Sequence, residues 1–236
     1  MKVVLPMAGR GSRFEGSGFT MPKPLIPVLG KPMFLWALES LKNVSFSELI
    51  IIALKEHEEQ YHLSKIIYNY LGGDASLVLL DKVTEGQLCT VLAAKKYFDS
   101  EEDLLIISSD TIVESELGSS IQNKSKDCKG IISVANMAGD RWSFARIDTL
   151  GRVDKVAEKT RISNHASTGL YYFSNGNTFI KVAEEMIANN EKTKGEYYII
   201  PVYQKYIEKG WQVTISEASD MWDLGTPDSL QEFLNR

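Results

Sequence analysis

Four short apolar runs, alternating with segments of helical spacing, most strongly constrain the fold of this chain. The runs occupy residues 3–5, 49–54, 77–80 and 104–107. Between them, apolar side chains recur every three or four residues, for example at Phe34, Ala37, Leu38 and Leu41 and at Leu63, Ile66, Ile67 and Tyr70. Because an uninterrupted apolar strand is buried on both faces, amphipathic helices must cover it from both sides. The sequence therefore predicts an α/β fold with a mostly parallel sheet and helices on both faces.

The second half of the chain has a different pattern. Short strand-like runs, separated by turns and two helical segments, are predicted at residues 131–135, 144–147, 153–156, 165–173 and 211–215, with helices at about 178–187 and 197–207 and from Pro227 onward. The residues 149–152 between two of these runs are typical of a hairpin turn. This half therefore predicts a mixed sheet that is antiparallel in part.

Composition excludes several classes of protein. The chain has 236 residues, a net charge of -5 and two cysteines. Two cysteines are too few for a disulfide framework and lack metal-ligand spacing, which favours a reduced, cytoplasmic protein. We expect neither a signal peptide nor a membrane span, and the acidic balance argues against nucleic acid as the main partner. Self-association is left open.

One segment is basic although the chain as a whole is acidic. Residues 9–32 contain four basic side chains and a single acid, a local charge of +3, at Arg10, Arg13, Lys23 and Lys31 against Glu15. The segment leaves the first apolar run through Gly9 and Gly11, where backbone N–H groups can turn outward. A local excess of this kind is typical of a site for an anionic ligand such as a phosphate.

Two familiar phosphate loops do not fit this segment. A P-loop closes with a lysine before Ser or Thr, whereas Gly11 is followed directly by Ser12 and Arg13. A dinucleotide fingerprint needs a third glycine where Phe14 stands, and a ribose-binding acid at the right distance is also missing.

The complete pattern is A-G-x-G-S-R-F, a spacer, P-K-P-L and then G-K-P-M at the start of a helix. It resembles the signature of the sugar nucleotidyltransferases, which make nucleoside-diphosphate sugars, and of related enzymes that activate phosphocholine. The resemblance spans almost the whole chain. It implies one domain over residues 1–236, with a Rossmann-like nucleotide-binding half at 1–125 and a mixed-sheet acceptor-binding half at 126–236.

The resemblance also implies roles for the glycine segment. Ala8, Gly9, Gly11 and Ser12 would hold the triphosphate of a nucleotide. Arg13 would contact its outer phosphates, and Lys23 would stabilise charge that develops at the α-phosphate. Relatives place the segment around Gln87 against the base, although a capping box between Thr84 and Gln87 explains both residues without a ligand.

Two aspartates are candidate magnesium ligands. Asp110 follows the fourth apolar run, at the strand end where parallel sheets bind ligands. Asp223 lies in a W-x-D-x-G-T-P segment that resembles a late motif of the family, where an aspartate shares Mg²⁺ with the earlier one. Mg²⁺ prefers oxygen ligands and is commonly completed by substrate phosphates. Capping of the last helix by Thr226, with Pro227 in its first turn, explains the end of this segment but not Asp223.

The acceptor side carries a weaker signal. Glu158 and Lys159 resemble the family's E-K-P segment, with Thr160 in place of the proline, and Asn164 and Gly169 fall in an N-x-A-x-x-G-x-Y/F-x-F strand. The resemblance implies that these four residues bind the acceptor sugar and its phosphate. The three histidines do not pair with a nucleophile, and a phosphate dianion needs positioning more than a general base.

The predicted function is therefore Mg²⁺-dependent transfer of a nucleotidyl group from a nucleoside triphosphate to a sugar 1-phosphate, with release of pyrophosphate. Alternatives are a cytidylyltransferase that uses phosphocholine or another phosphomonoester, a nucleotide-sugar-dependent glycosyltransferase, and a non-catalytic nucleotide sensor. The absence of a long C-terminal extension predicts that no separate domain regulates the chain. Departures from the family pattern are Ala8 before Gly9, Ser12 in place of threonine, and Ser-Ser-Asp-Thr at residues 108–111.

Overall fold

A computed structural model describes residues 1–14 and 16–236. Glu15, the one acid counted in the basic segment, lies outside the described residues. The strands are β1 (Lys2–Pro6), β2 (Pro27–Val28), β3 (Lys31–Pro32), β4 (Glu48–Leu54), β5 (Ala75–Leu80), β6 (Leu104–Ile107), β7 (Thr111–Ser115), β8 (Cys128–Ala135), β9 (Ser143–Ile147), β10 (Val153–Glu158), β11 (His165–Phe173) and β12 (Gln212–Asp223).

Within the described residues, eight α-helices accompany these strands, together with short 3-10 turns such as Lys23–Leu25. The helices are α1 (Met33–Leu38), α2 (Lys55–Tyr61), α3 (Leu63–Leu71), α4 (Gln87–Leu92), α5 (Leu117–Asn123), α6 (Gly176–Ala188), α7 (Ile200–Glu208) and α8 (Pro227–Leu234). None of those within the described part of the chain is long and apolar enough to cross a membrane.

The main sheet has the strand order β5-β4-β1-β6-β11-β8-β12-β7, and the β9–β10 hairpin joins it through β11. Strands β5, β4, β1 and β6 are parallel to one another, as are β8 and β12. Strands β11 and β7 run antiparallel to their neighbours. The predicted α/β class, a mostly parallel sheet that becomes mixed in the second half, is confirmed.

The uninterrupted apolar strands are buried on both faces because their alternate residues enter two different cores. Val4, Ile50 and Ile106 pack into one cluster together with α4, α6 and α7. Val3 and Leu105 face the opposite cluster, which includes residues of α1, α3 and α5. This two-sided packing fixes the register of the sheet, since a slip by one residue would exchange the two faces. It also fixes which strand ends meet at the site.

The structure corrects several predicted boundaries. The strand predicted at 211–215 continues to Asp223, because β12 pairs first with β8 and then with β7. Its second part is half exposed and polar, so no apolar pattern marks it. The helix predicted at 197–207 begins only at Ile200. Strand β7 and helix α5 were not predicted at all.

Candidate active site

The glycine segment folds back after β1, so that Gly11 lies close to Lys23. Gly11 has a φ of +66°, a conformation that side chains other than glycine rarely adopt. A Cβ atom on Gly11 would lie 2.7 Å from Cβ of Lys23. Glycine is therefore required at residue 11 both by the turn and by the close approach of Lys23. The loop geometry places the Lys23 side chain at the carboxyl end of the sheet.

Among the cavities formed by the described residues at this end of the sheet, three share lining residues with one another. The first, which we call the glycine-loop pocket, has a volume of about 490 Å³ and is lined by residues that include Ala8, Gly9, Gly11, Ser12, Glu85, Gln87 and Lys192. A cleft of about 210 Å³ beside it includes Lys23 and Asp110. The third, the carboxylate pocket, has about 300 Å³ and contains Arg13, Asp110, Glu158, Lys159, Gly169 and Asp223. Gln87 lines all three cavities, so it stands at their junction.

Gln87 opens helix α4, but not through the predicted capping box. The residue that caps the helix is Gly86, and no side chain completes the cap. Thr84 instead donates its hydroxyl to the carbonyl of Gly86 at 2.9 Å. Gly86 packs so closely on the backbone of Tyr197 that a Cβ atom would lie 2.5 Å from the Tyr197 carbonyl oxygen. The capping explanation of Gln87 is therefore wrong, and its side chain is available to the cavities.

Strand pairing brings the two predicted metal ligands together. In the β12–β7 pair, Asp223 stands opposite Thr111, the residue after Asp110. The Leu224 N–H also donates to the Asp110 carbonyl at 2.7 Å. A Cβ atom on Gly225 would lie 2.8 Å from both Oδ2 of Asp110 and Oδ1 of Asp223, so the two carboxylates converge on that glycine.

Each of the two carboxylates has a basic partner. Lys23 Nζ lies 2.5 Å from Asp110 Oδ2, and Arg141 Nη2 lies 2.8 Å from Asp223 Oδ2. Burial disfavours the charged form of Asp110, but Lys23 and Arg13 outweigh burial and hold its pKa below the usual range. Burial and the charge of Asp110 raise the pKa of Asp223 despite Arg141. Asp223 therefore carries an uncompensated electrostatic cost that a further positive charge would relieve.

This donor set fits a small, hard cation that keeps ligands from another source. Within residues 1–14 and 16–236, no group of three or more His, Cys, Asp or Glu side chains is arranged to hold a metal ion. Two converging carboxylates supply only part of a coordination shell. Mg²⁺ commonly binds through one or two carboxylates and completes its shell with water and substrate phosphates.

The raised pKa of Asp223 predicts a stabilising substitution. A carboxyl whose pKa is higher in the folded protein than in the unfolded chain favours folding at low pH, and this contribution is lost as the pH rises through the folded value. We therefore expect Asp223→Asn, without metal, to melt at a higher temperature than the wild type at neutral pH. In thermal melts the gain should grow as the pH rises above the ordinary carboxyl pKa and level off once the pH exceeds the raised folded pKa of Asp223. A gain that shrinks with rising pH would contradict the assigned cost.

On the acceptor side, Glu158 and Lys159 both line the carboxylate pocket. Glu158 is buried and accepts a hydrogen bond from the Ser143 hydroxyl. Burial raises the pKa of Glu158 although Ser143 and Lys159 oppose the shift. Lys159 has a φ of +50° and donates from Nζ to the Tyr198 hydroxyl at 2.5 Å. A strained backbone that aims a lysine into a pocket is a common feature of binding sites.

The other two predicted acceptor residues differ in their placement. Gly169 lines the pocket, and its φ of +86° allows its carbonyl to accept from the Ser108 N–H at 2.9 Å. A Cβ atom there would overlap the Ser108 side chain, so Gly169 also shapes the strand end beside Asp110. Asn164 is not among the residues that line the pocket. It is exposed, and its Oδ1 accepts from Arg161 at 3.0 Å.

Arg141, Glu196 and Tyr198 line the carboxylate pocket but were missed by sequence reasoning. Arg141 lies in the loop between β8 and β9, which carries no pattern apart from the neighbouring Trp142. The predicted helix at 197–207 concealed Tyr198, which lies in the loop before α7 because that helix begins only at Ile200. Glu196 comes just before this loop, in a tight turn in which residues 193 and 196 exchange backbone hydrogen bonds.

Comparisons with known proteins agree with this geometry. The family model for nucleotidyl transferases matches residues 2–236, and the chain belongs to this family. It is 26% identical over 242 residues to the low-salt glycan biosynthesis nucleotidyltransferase Agl11 of Haloferax volcanii, covering 98% of this chain and 64% of that relative. It is 25% identical over 207 residues to the bifunctional protein GlmU of Thermotoga maritima, covering 84% of this chain and 43% of that relative.

A solved structure also places the chain among these enzymes. The nucleoside-diphosphate-sugar pyrophosphorylase from Vibrio cholerae superposes with a TM-score of 0.84 at 26% identity, and the match covers 99% of this chain and 100% of that one. The resemblance to the sugar nucleotidyltransferases is thereby confirmed. The chain spans only 64% and 43% of the two relatives named above.

The two glycines of the loop give a matched pair of substitutions. Gly11→Ala should destabilise the free protein by about 1–2 kcal/mol, because its φ is positive and Lys23 blocks the new methyl group. A Cβ atom on Gly9 meets nothing within 4 Å, so Gly9→Ala should melt like the wild type. Because Gly9 lines the glycine-loop pocket, we expect Gly9→Ala to lose the thermal shift that a nucleoside triphosphate causes. Equal melting of the two variants without nucleotide would contradict this assignment.

Proposed function

We propose that this chain is a Mg²⁺-dependent enzyme that transfers a nucleotidyl group from a nucleoside triphosphate to a sugar 1-phosphate and releases pyrophosphate. The observation that carries the proposal is the meeting of Lys23, Asp110 and Asp223 where the glycine-loop and carboxylate pockets join. A reaction between two phosphate groups needs charge neutralisation at such a junction. The names of the relatives, which include nucleotidyltransferases and a nucleoside-diphosphate-sugar pyrophosphorylase, support the same reaction.

In this proposal the glycine-loop pocket takes the triphosphate. The backbone at Gly9, Gly11 and Ser12 offers N–H donors to the phosphates. Arg13 lines the carboxylate pocket and not the glycine-loop pocket, so its contact with the outer phosphates stays a sequence-based prediction without support from its placement. Ala8 and Gln87 line the same pocket, where Gln87 can contact the base or the sugar of the nucleotide. Lys23, already at the sheet edge, places an ammonium group at the α-phosphate.

Asp110 and Asp223 would hold the Mg²⁺ ion, which when bound neutralises phosphate charge and orients the reacting groups. The chain's own contribution is to keep Asp110 ionised through Lys23 and to hold Asp223 in place. Gly225 N–H and the Ser229 hydroxyl donate to Asp223 at 2.9 and 3.1 Å. Because Gly225 lies just before α8 and Ser229 lies in its first turn, the capped start of that helix positions the carboxylate.

The carboxylate pocket would take the acceptor, with Lys159 on its phosphate and Glu158 on sugar hydroxyls. Asn164 stays a sequence-based prediction without support from its placement. Three aromatic rings line the pocket, which could favour phosphocholine, but the protein's own cations already cover two of them. Lys159 Nζ lies 4.7 Å from the centre of the Tyr198 ring, and the Arg141 guanidinium lies 4.4 Å from that of Trp142. A quaternary ammonium would have to displace these cations, so we favour a sugar phosphate.

The position of the neighbouring tyrosines agrees with this choice. Tyr171 lines the carboxylate pocket, whereas Tyr172 points to the opposite core and donates to Asp103 at 2.7 Å. Alternating strand positions thus leave one of these rings for the pocket, as the sequence predicts.

An assay of pyrophosphate release tests the proposal. The protein with Mg²⁺ is offered CTP, UTP, dTTP, ATP or GTP, each with a sugar 1-phosphate or with phosphocholine. We expect release that requires Mg²⁺, one preferred triphosphate and a sugar 1-phosphate. Turnover with phosphocholine alone would replace the acceptor assignment. Absence of turnover with every pair, from protein that binds triphosphate, would favour a nucleotide sensor.

A further inference from the structure

Arg141 reaches Asp223 from a loop that is separate from the glycine segment. Its Nη2 atom donates to Asp223 Oδ2 at 2.8 Å. Among the described residues, the other hydrogen-bond donors to this carboxylate are the Gly225 N–H and the Ser229 hydroxyl. Arg141 is thus the partner of Asp223 that brings a full positive charge.

The two carboxylates therefore carry two positive charges from the protein itself. Lys23 is paired with Asp110, and Arg141 is paired with Asp223. A divalent cation between the carboxylates would bring the same total charge to the same oxygens. Since Arg141 lies within hydrogen-bond distance of Asp223 Oδ2, a cation that binds this oxygen must compete with it.

The side chain of Arg141 is partly exposed, whereas its loop is held. Apart from Asp223, its guanidinium contacts the neighbouring Trp142 ring. Its side chain is 45% exposed, compared with 11% for Asp223. The loop backbone is fixed by Arg161, whose Nη1 donates to the carbonyls of Met137 and Gly139 at 2.7 and 2.9 Å. A rotation of the long arginine stem can therefore move the guanidinium without moving the loop.

Arg141 also lines the carboxylate pocket together with Lys159. A guanidinium that leaves Asp223 would remain beside the place proposed for the acceptor phosphate. Its planar set of donors can hold two phosphate oxygens at once, which a lysine cannot do. The pocket thus offers Arg141 a second anionic partner.

We propose that Arg141 and the divalent cation are alternative partners of Asp223, and that arrival of the cation releases Arg141 to bind the acceptor's phosphate. This inference rests on the proposed function of the site. It makes Arg141 a phosphate-binding residue whose availability depends on the metal. Cation and acceptor phosphate should therefore bind with positive coupling through one side chain.

Binding of Mn²⁺ to the complete chain without nucleotide, followed by electron paramagnetic resonance, tests the competition. Arg141→Gln should bind Mn²⁺ roughly fivefold more tightly than the wild type, the equivalent of losing one ion-pair competitor. Arg141→Lys keeps the charge and should stay closer to the wild type. Arg146→Gln is the matched control, because Arg146 pairs with the exposed Asp154 on the β9–β10 hairpin and should leave Mn²⁺ affinity unchanged. The proposal is overturned if Arg141→Gln binds Mn²⁺ no more tightly than the wild type does. The same holds if neither protein binds Mn²⁺.

The coupling is measured with inorganic phosphate as the probe, titrated by calorimetry with and without Mn²⁺. We expect Mn²⁺ to strengthen phosphate binding to the wild type and to have little effect on Arg141→Gln. Equal strengthening in both proteins would overturn the release of Arg141. Asp223→Asn distinguishes a failure of the proposed metal site from a failure of the inference about Arg141. If this variant binds Mn²⁺ like the wild type, the proposed metal site fails; if it loses Mn²⁺ while Arg141→Gln is unchanged, only the inference about Arg141 fails.

Discussion

Lys23→Ala should lower kcat by roughly a hundredfold or more, because it removes a preorganised positive charge from the junction of the two pockets. The structure also predicts that this variant loses stability, which the sequence did not suggest. Lys23 pairs with Asp110 at 2.5 Å, so the variant leaves this carboxylate beside Asp223 without its partner. We expect a loss of about 1–3 kcal/mol in the free energy of unfolding, between the values of exposed and buried pairs.

A second substitution separates the two effects of Lys23. The double variant Lys23→Ala, Asp110→Asn removes both charges, so its melting temperature should recover while its activity stays low. Lys31→Ala is the matched control, since Lys31 comes from the same basic segment but pairs with Glu39 at 2.6 Å outside the three cavities. Activity of Lys23→Ala within a few-fold of the wild type would contradict the role of Lys23. Equal losses in Lys31→Ala would show that only general charge matters.

Asp110→Asn and Asp223→Asn should each lower kcat by roughly a hundredfold or more, since each removes a ligand of the proposed metal, which would neutralise phosphate charge. The double variant should be little worse than either single one, because groups that act as one unit are not additive. Steady-state rates over a Mg²⁺ titration measure both effects. The single variants should also need more Mg²⁺ for half-maximal rate.

Asp220→Asn is the control for this pair. Asp220 lies three residues before Asp223 on β12. Its carboxylate accepts a hydrogen bond within the same strand, from the indole N–H of Trp222 at 3.0 Å. It should keep wild-type activity and Mg²⁺ dependence. Two independent losses that multiply in the double variant would show that Asp110 and Asp223 do not share a metal.

The sheet was predictable because short apolar runs in the sequence mark most of its strands. Apolar runs at 49–54 and 104–107 coincide closely with β4 and β6, since a strand buried on both faces must be apolar throughout. Motifs at the strand ends also located the glycine loop and Asp110. The same logic fails for the second part of β12, which is half exposed and polar.

The assembly of the site depends on long-range pairing that no local pattern encodes. Asp223 meets Asp110 because β12 pairs with β7, a strand that was not predicted. Arg141 and Tyr198 come from loops, and loop residues reveal their role only through what they touch. Asn164 shows the reverse case, where a motif position lies outside the pocket it was expected to line.

Transfer of an isotopic label tests the central claim most directly. The wild-type protein is incubated with Mg²⁺, a sugar 1-phosphate and the triphosphate that it prefers in the pyrophosphate assay. This triphosphate carries the label at its α-phosphorus, and the products are then separated. We predict that the label moves into a nucleoside-diphosphate sugar, while the pyrophosphate formed in equal amount is unlabelled. Label that stays in the triphosphate, or appears only in a nucleoside monophosphate through hydrolysis, would contradict the account.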